Sequence, residues 1–527
     1  MALLITKYLK IIKGNRIFII FLIFGIFHWI LFSVYGTPMW KSFDWLGTYP
    51  WFDITKSSIL TLKLPYHATA YDTEIIGNTI ASGTNGSFNV RWFSSGFNIV
   101  SPQIILLSIL SVAQYISFSL IFYFSLGTYG IYKWIKEFNL SIAASTFLFI
   151  IWSFNGYIVS RMGIGHLLYC NAYMFVPLFF WFLYKFIKNK NMNWQHSLKN
   201  ALLFSLFIFF TKLNANGQNT YQFLLVGLIV MLFYHKQLLW YLLSVFFSFI
   251  LMSFYIFPTA MFSSYVGEDR IIFGGYGFKM GIGDSLLFPL EMASSTIQKG
   301  LYHVGNIFYQ LWRALTGPFT AANDGSWEIS LFIGKFGLLL VVLCCLALYL
   351  KNKNSIQFKN YMFLFAAGII ALLSISVVEA RLVSLFETAI HLTIPKVDRL
   401  PSRLMIYPFS LVLMFAAMGF DDLFANIPER FRSSAKWGVL LILFIILMQH
   451  SFGWSVAQTE SHYVRPPDEV RHLFKTVILD LDDVYYKKVV NISYLVSLIA
   501  FCAVTASYFY LKRKINYSAT KSEFVSS

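Results

Sequence analysis

Runs of about 20 apolar residues recur along the whole chain, beginning with IFIIFLIFGIFHWILFSVY at 17–35. At about 1.5 Å per residue, such a run makes a helix of roughly 30 Å, the thickness of the hydrocarbon core of a bilayer. Lipid offers no water to backbone N–H and C=O groups, and a helix pairs them all within its own segment. Only 12% of the residues are charged and 57% are hydrophobic, whereas a soluble domain carries about 25% charged residues. The fold class expected is an all-α polytopic membrane protein.

Runs at 17–35, 103–132, 142–158, 170–186, 200–213, 220–234, 237–257, 331–350, 361–378, 404–420, 437–456 and 492–511 make about twelve spans. Lys7, Lys10, Lys13 and Arg16 precede the first and set the N-terminus in the cytoplasm. The sequence after it, GTPMWKSFDW, has no small-x-small cleavage site, so the first run reads as a retained span. The connections at 133–136, 185–199, 236, 351–359, 430–436 and 512–514 carry Lys or Arg, as cytoplasmic loops do. The connections at 36–102, 258–330, 379–403 and 457–490 are long, so one outer face carries nearly all the polar material. Residues 1–511 read as a single membrane domain, and 512–527 as a polar, disordered cytoplasmic tail.

The net charge of +17 follows from this loop asymmetry, and no fold able to present a basic face to nucleic acid is visible. Cys170, Cys344, Cys345 and Cys502 show no metal-ligand spacing and read as small packing residues. There is no GxxxxGK[ST], no GxSxG and no HEXXH, and the acid chains of ion-coupled carriers are missing.

Four outer stretches carry candidate chemistry. GTPMWKSFDWLGTYPWFDITKSSILTLKLP (36–65) holds Asp44 and Asp53. A carboxylate held away from bulk water can act as a general base. Asp53 stands at the start of FDITKSSILTLK, a candidate surface-lying helix, and is equally suited to cap it. The turn FNGYIVSRMGIGH after the third span places Arg161 five residues before His166, a pair able to grip a phosphate or to anchor at headgroups. PKVDRLPSR (395–403) sets Lys396, Arg399 and Arg403 on the outer side, against the usual charge bias. SWEISLFIG (326–334) brings Glu328 to the start of the eighth span as an acid, a metal ligand or a charge favoured by the helix dipole. A fifth stretch, TKLNANGQNTYQ (211–222), is polar where it reaches membrane depth, which is tolerated only in a protein-lined or water-filled cavity.

Taken together, these segments resemble the GT-C superfamily of polytopic glycosyltransferases, and within it the YfhO-like membrane proteins. FDWLGTYP followed by LKLPYHATAY resembles the acid after the first helix and the later "lP.WnP" segment, although LPYHATAYDTE departs from a clean "PlWnP". NGYIVSRMGIGH…MFVPL, SWEISLFIG and DRLPSRLMIYPFSLVLMFAAMGFDDL resemble the family's "NG…GH…P", "E…YiG" and "R.psR" segments, in order.

The resemblance implies inverting transfer of a sugar from a polyprenyl-phosphate-linked donor to a glycan, lipid or protein acceptor at the outer face of a bacterial inner membrane. It implies Asp44 as the base, Asp53 and Glu328 as supporting acids, and Arg161, His166, Arg399 and Arg403, with Lys396 beside them, as phosphate ligands. A divalent cation is not clearly indicated, and the cofactor is left open. A lipid-linked glycan flippase or transporter, and a surface polysaccharide polymerase or ligase, are the alternatives.

Overall fold

The computed structural model describes residues 16–35, 45–72, 90–91, 93, 101–164, 166–188, 194–215, 217–262, 312, 315–316, 330–352, 366–370, 404–459, 474–479 and 482–526. Asp44, Glu328, Lys396, Arg399 and Arg403 lie outside them. In chain order the elements are α1 (Arg16–Tyr35), α2 (Trp45–Thr61), β1 (His67–Asp72), β2 (Val90–Arg91), α3 (Val112–Phe138), α4 (Ile142–Phe154) and α5 (Gly156–Ile164). There follow α6 (Leu167–Lys188), α7 (Trp194–Asn214), α8 (Gly217–Leu232), α9 (Leu238–Leu251), α10 (Ser253–Phe262) and α11 (Gly334–Asn352). The chain closes with α12 (Ile406–Leu423), α13 (Glu429–Thr459), β3 (Phe474–Leu479) and α14 (Val484–Ser526).

Among the described residues, six helices are long and apolar enough to cross a membrane, or seven if the bent pair α9–α10 counts as one span. Their surfaces agree with that. Leu441, Ile442, Ile445 and Phe452 of α13, and Leu495, Leu498 and Ile499 of α14, are exposed large apolar side chains. Rows of exposed large apolar side chains like these are unusual against water and ordinary against lipid. The chain is a polytopic helical membrane protein.

The chain divides into two compact units. Unit 1 comprises residues 1–45, 116–178 and 274–467. Side-chain contacts fix helix directions within it. Phe21 stacks on Phe149 and His28 meets Phe154, so α1 and α4 run in parallel. Phe24 meets Phe444 and Ser451 meets His28, which aligns α13 with them. Four further helices run the opposite way: α3 (Phe18 on Tyr132), α6 (parallel to α3, Trp134 Nε1 donating to Pro177 O), α11 (Phe332 on His450) and α12. Parallel α11 and α12 pack closely because Gly419 lies against the Cys344 carbonyl, and Lys351 pairs with Asp422 at their far end. These relative directions are the ones the basic loops lead one to expect for the same seven segments.

Short sequence signals set the turns. Asn139 (φ 50°) takes the left-handed conformation that closes α3, and the Leu140 N–H returns to the Ile135 carbonyl. The Ser141 side chain then caps α4 by accepting the Ala144 N–H at 3.2 Å.

Unit 2 comprises residues 46–115, 179–273 and 468–527. There α14 runs antiparallel to α10, with Phe254 on Tyr494 and Phe262 on Tyr486, and packs on α7 through Phe209 and Phe501. A small antiparallel sheet of order β2-β1-β3 is added to the helices, with His67 opposite Leu479 and Asp72 opposite Phe474. It joins two segments that the sequence reads as separate outer loops. Phe93 N–H donates to Tyr486 Oη at 2.8 Å, Tyr66 Oη to Asn491 Oδ1 at 2.6 Å, and His67 Nε2 lies 3.3 Å from Asp483 Oδ2.

Two sequence-based boundaries change. The helix in the first loop begins at Trp45 rather than beside Asp53, because WLGTYPW continues the helical run upstream. The last helix continues to Ser526 through the polar tail expected to be disordered. At 43 residues it is about 65 Å long, more than twice the hydrocarbon thickness, so the tail extends the helix beyond the span.

Candidate functional site

The stretch FNGYIVSRMGIGH is not the exposed polar turn expected from its composition. Asn155 leaves the helical conformation at φ −70°, ψ 165°, and its side chain bridges the resulting break. Its Nδ2 donates to the Ile151 and Trp152 carbonyls, at 3.0 and 2.8 Å, and its Oδ1 accepts the Tyr157 N–H at 2.9 Å. Tyr173 Oη sits 2.7 Å from the same amide nitrogen. With its orphaned backbone groups satisfied, the break can be buried, and the chain re-enters a helix at Gly156.

That second helix carries Arg161 inward. Arg161 is 0% exposed, and its guanidinium lies over the rings of Tyr157 and Tyr169, 5.2 and 5.7 Å from their centroids. Such faces attract a desolvated cation. His166, also buried, sits with Nδ1 3.1 Å from an Arg161 terminal nitrogen. A guanidinium only donates, so Nδ1 is the nitrogen placed to accept from it. The pair expected from spacing is thus formed, but as a buried cluster floored by tyrosines.

The lead-in to α11 docks against the break. Gly156 N–H donates to the Phe332 carbonyl at 2.9 Å. Ser330 Oγ lies 2.5 Å from where a Gly156 Cβ would stand. Two of the segments singled out in the sequence, NGYIVSR and SWEISLFIG, therefore meet. The helix directions extend this. α1 and α4 run in parallel, so both end at the Arg161 end of unit 1. α11 and α12, opposite in direction to α4, both begin there.

Asp53 is described, half-buried within α2 of unit 2, eight residues beyond the helix start at Trp45, so the capping role read for it does not apply. Among the described residues no group of three or more His, Cys, Asp or Glu side chains is placed to hold a metal ion.

One buried charge was missed by sequence reasoning. Lys212, in the TKLNANGQNTYQ stretch, is 1% exposed, with Nζ 3.5 Å from the Tyr255 ring centroid. The signal was present, as a polar run between two apolar ones, but no single residue in it stood out.

The fold and this cluster define a polytopic helical membrane protein with a buried cationic group near one end of its first unit. No family model matches the chain, and no curated protein matches it significantly.

Proposed function

We propose that the chain is a glycosyltransferase of the GT-C kind, with about twelve spans, both termini in the cytoplasm and its site on the outer face. It moves a sugar from a polyprenyl-phosphate carrier to a glycan, lipid or protein acceptor. The observation that carries this reading is convergence at one end of unit 1. The last residue of α1, nine before Asp44, the buried Arg161–His166 pair, Ser330 two residues after Glu328, and the start of α12 just after Arg403 all belong to that end.

In the proposed reaction the Asp44 carboxylate takes the proton of the acceptor hydroxyl. The freed oxygen bonds to the anomeric carbon from the face opposite the carrier, and the carbon–oxygen bond to the carrier phosphate breaks. A phosphate leaves without acid help, so one base suffices. Arg161, presented by the tyrosines, offers a fork to two phosphate oxygens, and the arginines before α12 add charge.

The test is sugar transfer by purified protein from short-chain polyprenyl-phosphate sugars, wild type against Asp44→Asn. Loss of turnover with donor binding retained supports the base assignment, and unchanged turnover refutes it. A carrier for lipid-linked glycans is the second reading, favoured by the 70° bend between α9 and α10. Donor flux across vesicles without sugar release would select it.

A further inference from the structure

Unit 2 holds a buried cation that glycosyl transfer, as proposed, does not use. Lys212 stands in the last turn of α7, and among the described residues no hydrogen-bond acceptor reaches its Nζ. An ammonium has three N–H donors, and the single aromatic face of Tyr255 leaves donors over. Burying a charge without compensating hydrogen bonds is costly, and such groups mark binding sites in membrane proteins.

The surroundings point the same way. Thr211, Asn214, Asn219, Thr220 and Gln222 flank the break between α7 and α8, and all are buried. Gln103 Nε2 donates to Asn214 Oδ1 at 2.6 Å, which fixes that amide. Tyr255 itself follows the 70° bend at which α9 gives way to α10. Two interruptions of helix therefore flank an ammonium that has no hydrogen-bond acceptor among the described residues. Interrupted backbone at membrane depth is tolerated where it lines a site, and broken helices are where membrane proteins hold charged ligands. Those flanking side chains are uncharged, and Thr211 Oγ1 and Asn214 Nδ2 already donate to the Phe207 and Phe210 carbonyls, at 2.9 and 2.6 Å, so the spare donors for an anion are those of Lys212.

We propose that Lys212, in the last turn of α7 and over the Tyr255 ring, binds a phosphate group. A tetrahedral oxyanion has oxygens enough for all three N–H donors of the ammonium. A lipid headgroup and a free phosphate share this chemistry. The proposal stands independently of the transferase reading and of Asp44.

The experiment is hydrogen–deuterium exchange on detergent-solubilised wild-type protein, read at peptides covering 211–222, with dodecyl phosphate, inorganic phosphate or dodecyl maltoside added. Slowed exchange with dodecyl phosphate alone identifies a lipid headgroup site, and slowing with inorganic phosphate as well identifies a site for free phosphate. Slowing by neither, or equally by the maltoside, overturns the proposal. Lys212→Met is expected to weaken the binding about tenfold or more, while Lys212→Arg keeps it within about threefold. Equal binding by wild type and a folded Lys212→Met also overturns it. If Lys212→Met does not fold, the wild-type exchange pattern decides.

Discussion

Gly156 and Phe332 are joined backbone to backbone: the Gly156 N–H donates to the Phe332 carbonyl at 2.9 Å, with no room for a side chain between them. An alanine Cβ would fall 2.7 Å from Phe332 N and 2.6 Å from its Cβ. Backbone cannot yield as a side-chain tip can, so Gly156→Ala is expected to cost about 1–3 kcal/mol. Melting in detergent measures it, and Gly438→Ala is the control. Gly438 lies inside α13 with nothing within 4 Å of its Cβ position, so alanine there should be neutral or stabilising by up to about 1 kcal/mol. Equal melting shifts for the two would show that the Gly156 contact does not bear on stability.

Arg161→Lys keeps the charge and discards the fork. Arg161 Nη1 is 3.1 Å from His166 Nδ1, a contact that a shorter, single-headed ammonium reproduces poorly. If the fork grips phosphate, the donor KM rises about tenfold or more, the worth of roughly 1.5–3 kcal/mol for a charge-assisted hydrogen bond. kcat changes less, because the base is elsewhere. A fall in kcat with KM unchanged would remove Arg161 from donor binding.

The apolar runs showed which segments are helices because lipid leaves the backbone no other option. The breaks were harder to read. Asn155 was visible as a turn residue, but its burial depends on four partners, of which Tyr173 belongs to the next span. Asp53 looked like a cap because helix propensity upstream, in WLGTYPW, is weak. The sheet was hidden for a different reason. FKTVIL has the β-branched run of a strand, yet its partner HATAYD lies at the other end of the chain, and such pairing leaves no local trace. For the candidate site, the Arg161–His166 pairing was legible from spacing and its tyrosine enclosure was not. Asp44 and the 395–403 cluster lie outside the described residues.

Gly419→Ala tests how α11 and α12 are held together. A Cβ at 419 would meet the Cys344 carbonyl oxygen at 2.1 Å and Leu348 Cβ at 2.8 Å. In lipid, helices associate through close packing of small residues rather than through exclusion from water. The substitution should push the pair apart and lower stability by about 1–3 kcal/mol. A cysteine pair introduced across the same helix interface should then cross-link more slowly than in the parent. Unchanged cross-linking and melting would show that the helices can shift at little cost.

Leu62 closes α2 in the left-handed region, at φ 53°, with Lys63 N–H bonded to the Ser58 carbonyl at 3.1 Å. This is the position where helices ordinarily place glycine. A left-handed leucine costs roughly 1–2 kcal/mol in crowding between its Cβ and the backbone. At 92% exposure its side chain recovers little of that by packing against the protein. Leu62→Gly removes the strain but adds freedom to the unfolded chain, which offsets part of the gain. The net expectation is stabilisation by about 0.5–1 kcal/mol, read as a higher melting temperature in detergent, with Leu62→Asn in between. Val at the same site, β-branched and poorly suited to positive φ, should destabilise. A melting order with Val above Gly would mean that the side chain at 62, through contact with the surrounding amphiphile, outweighs the backbone.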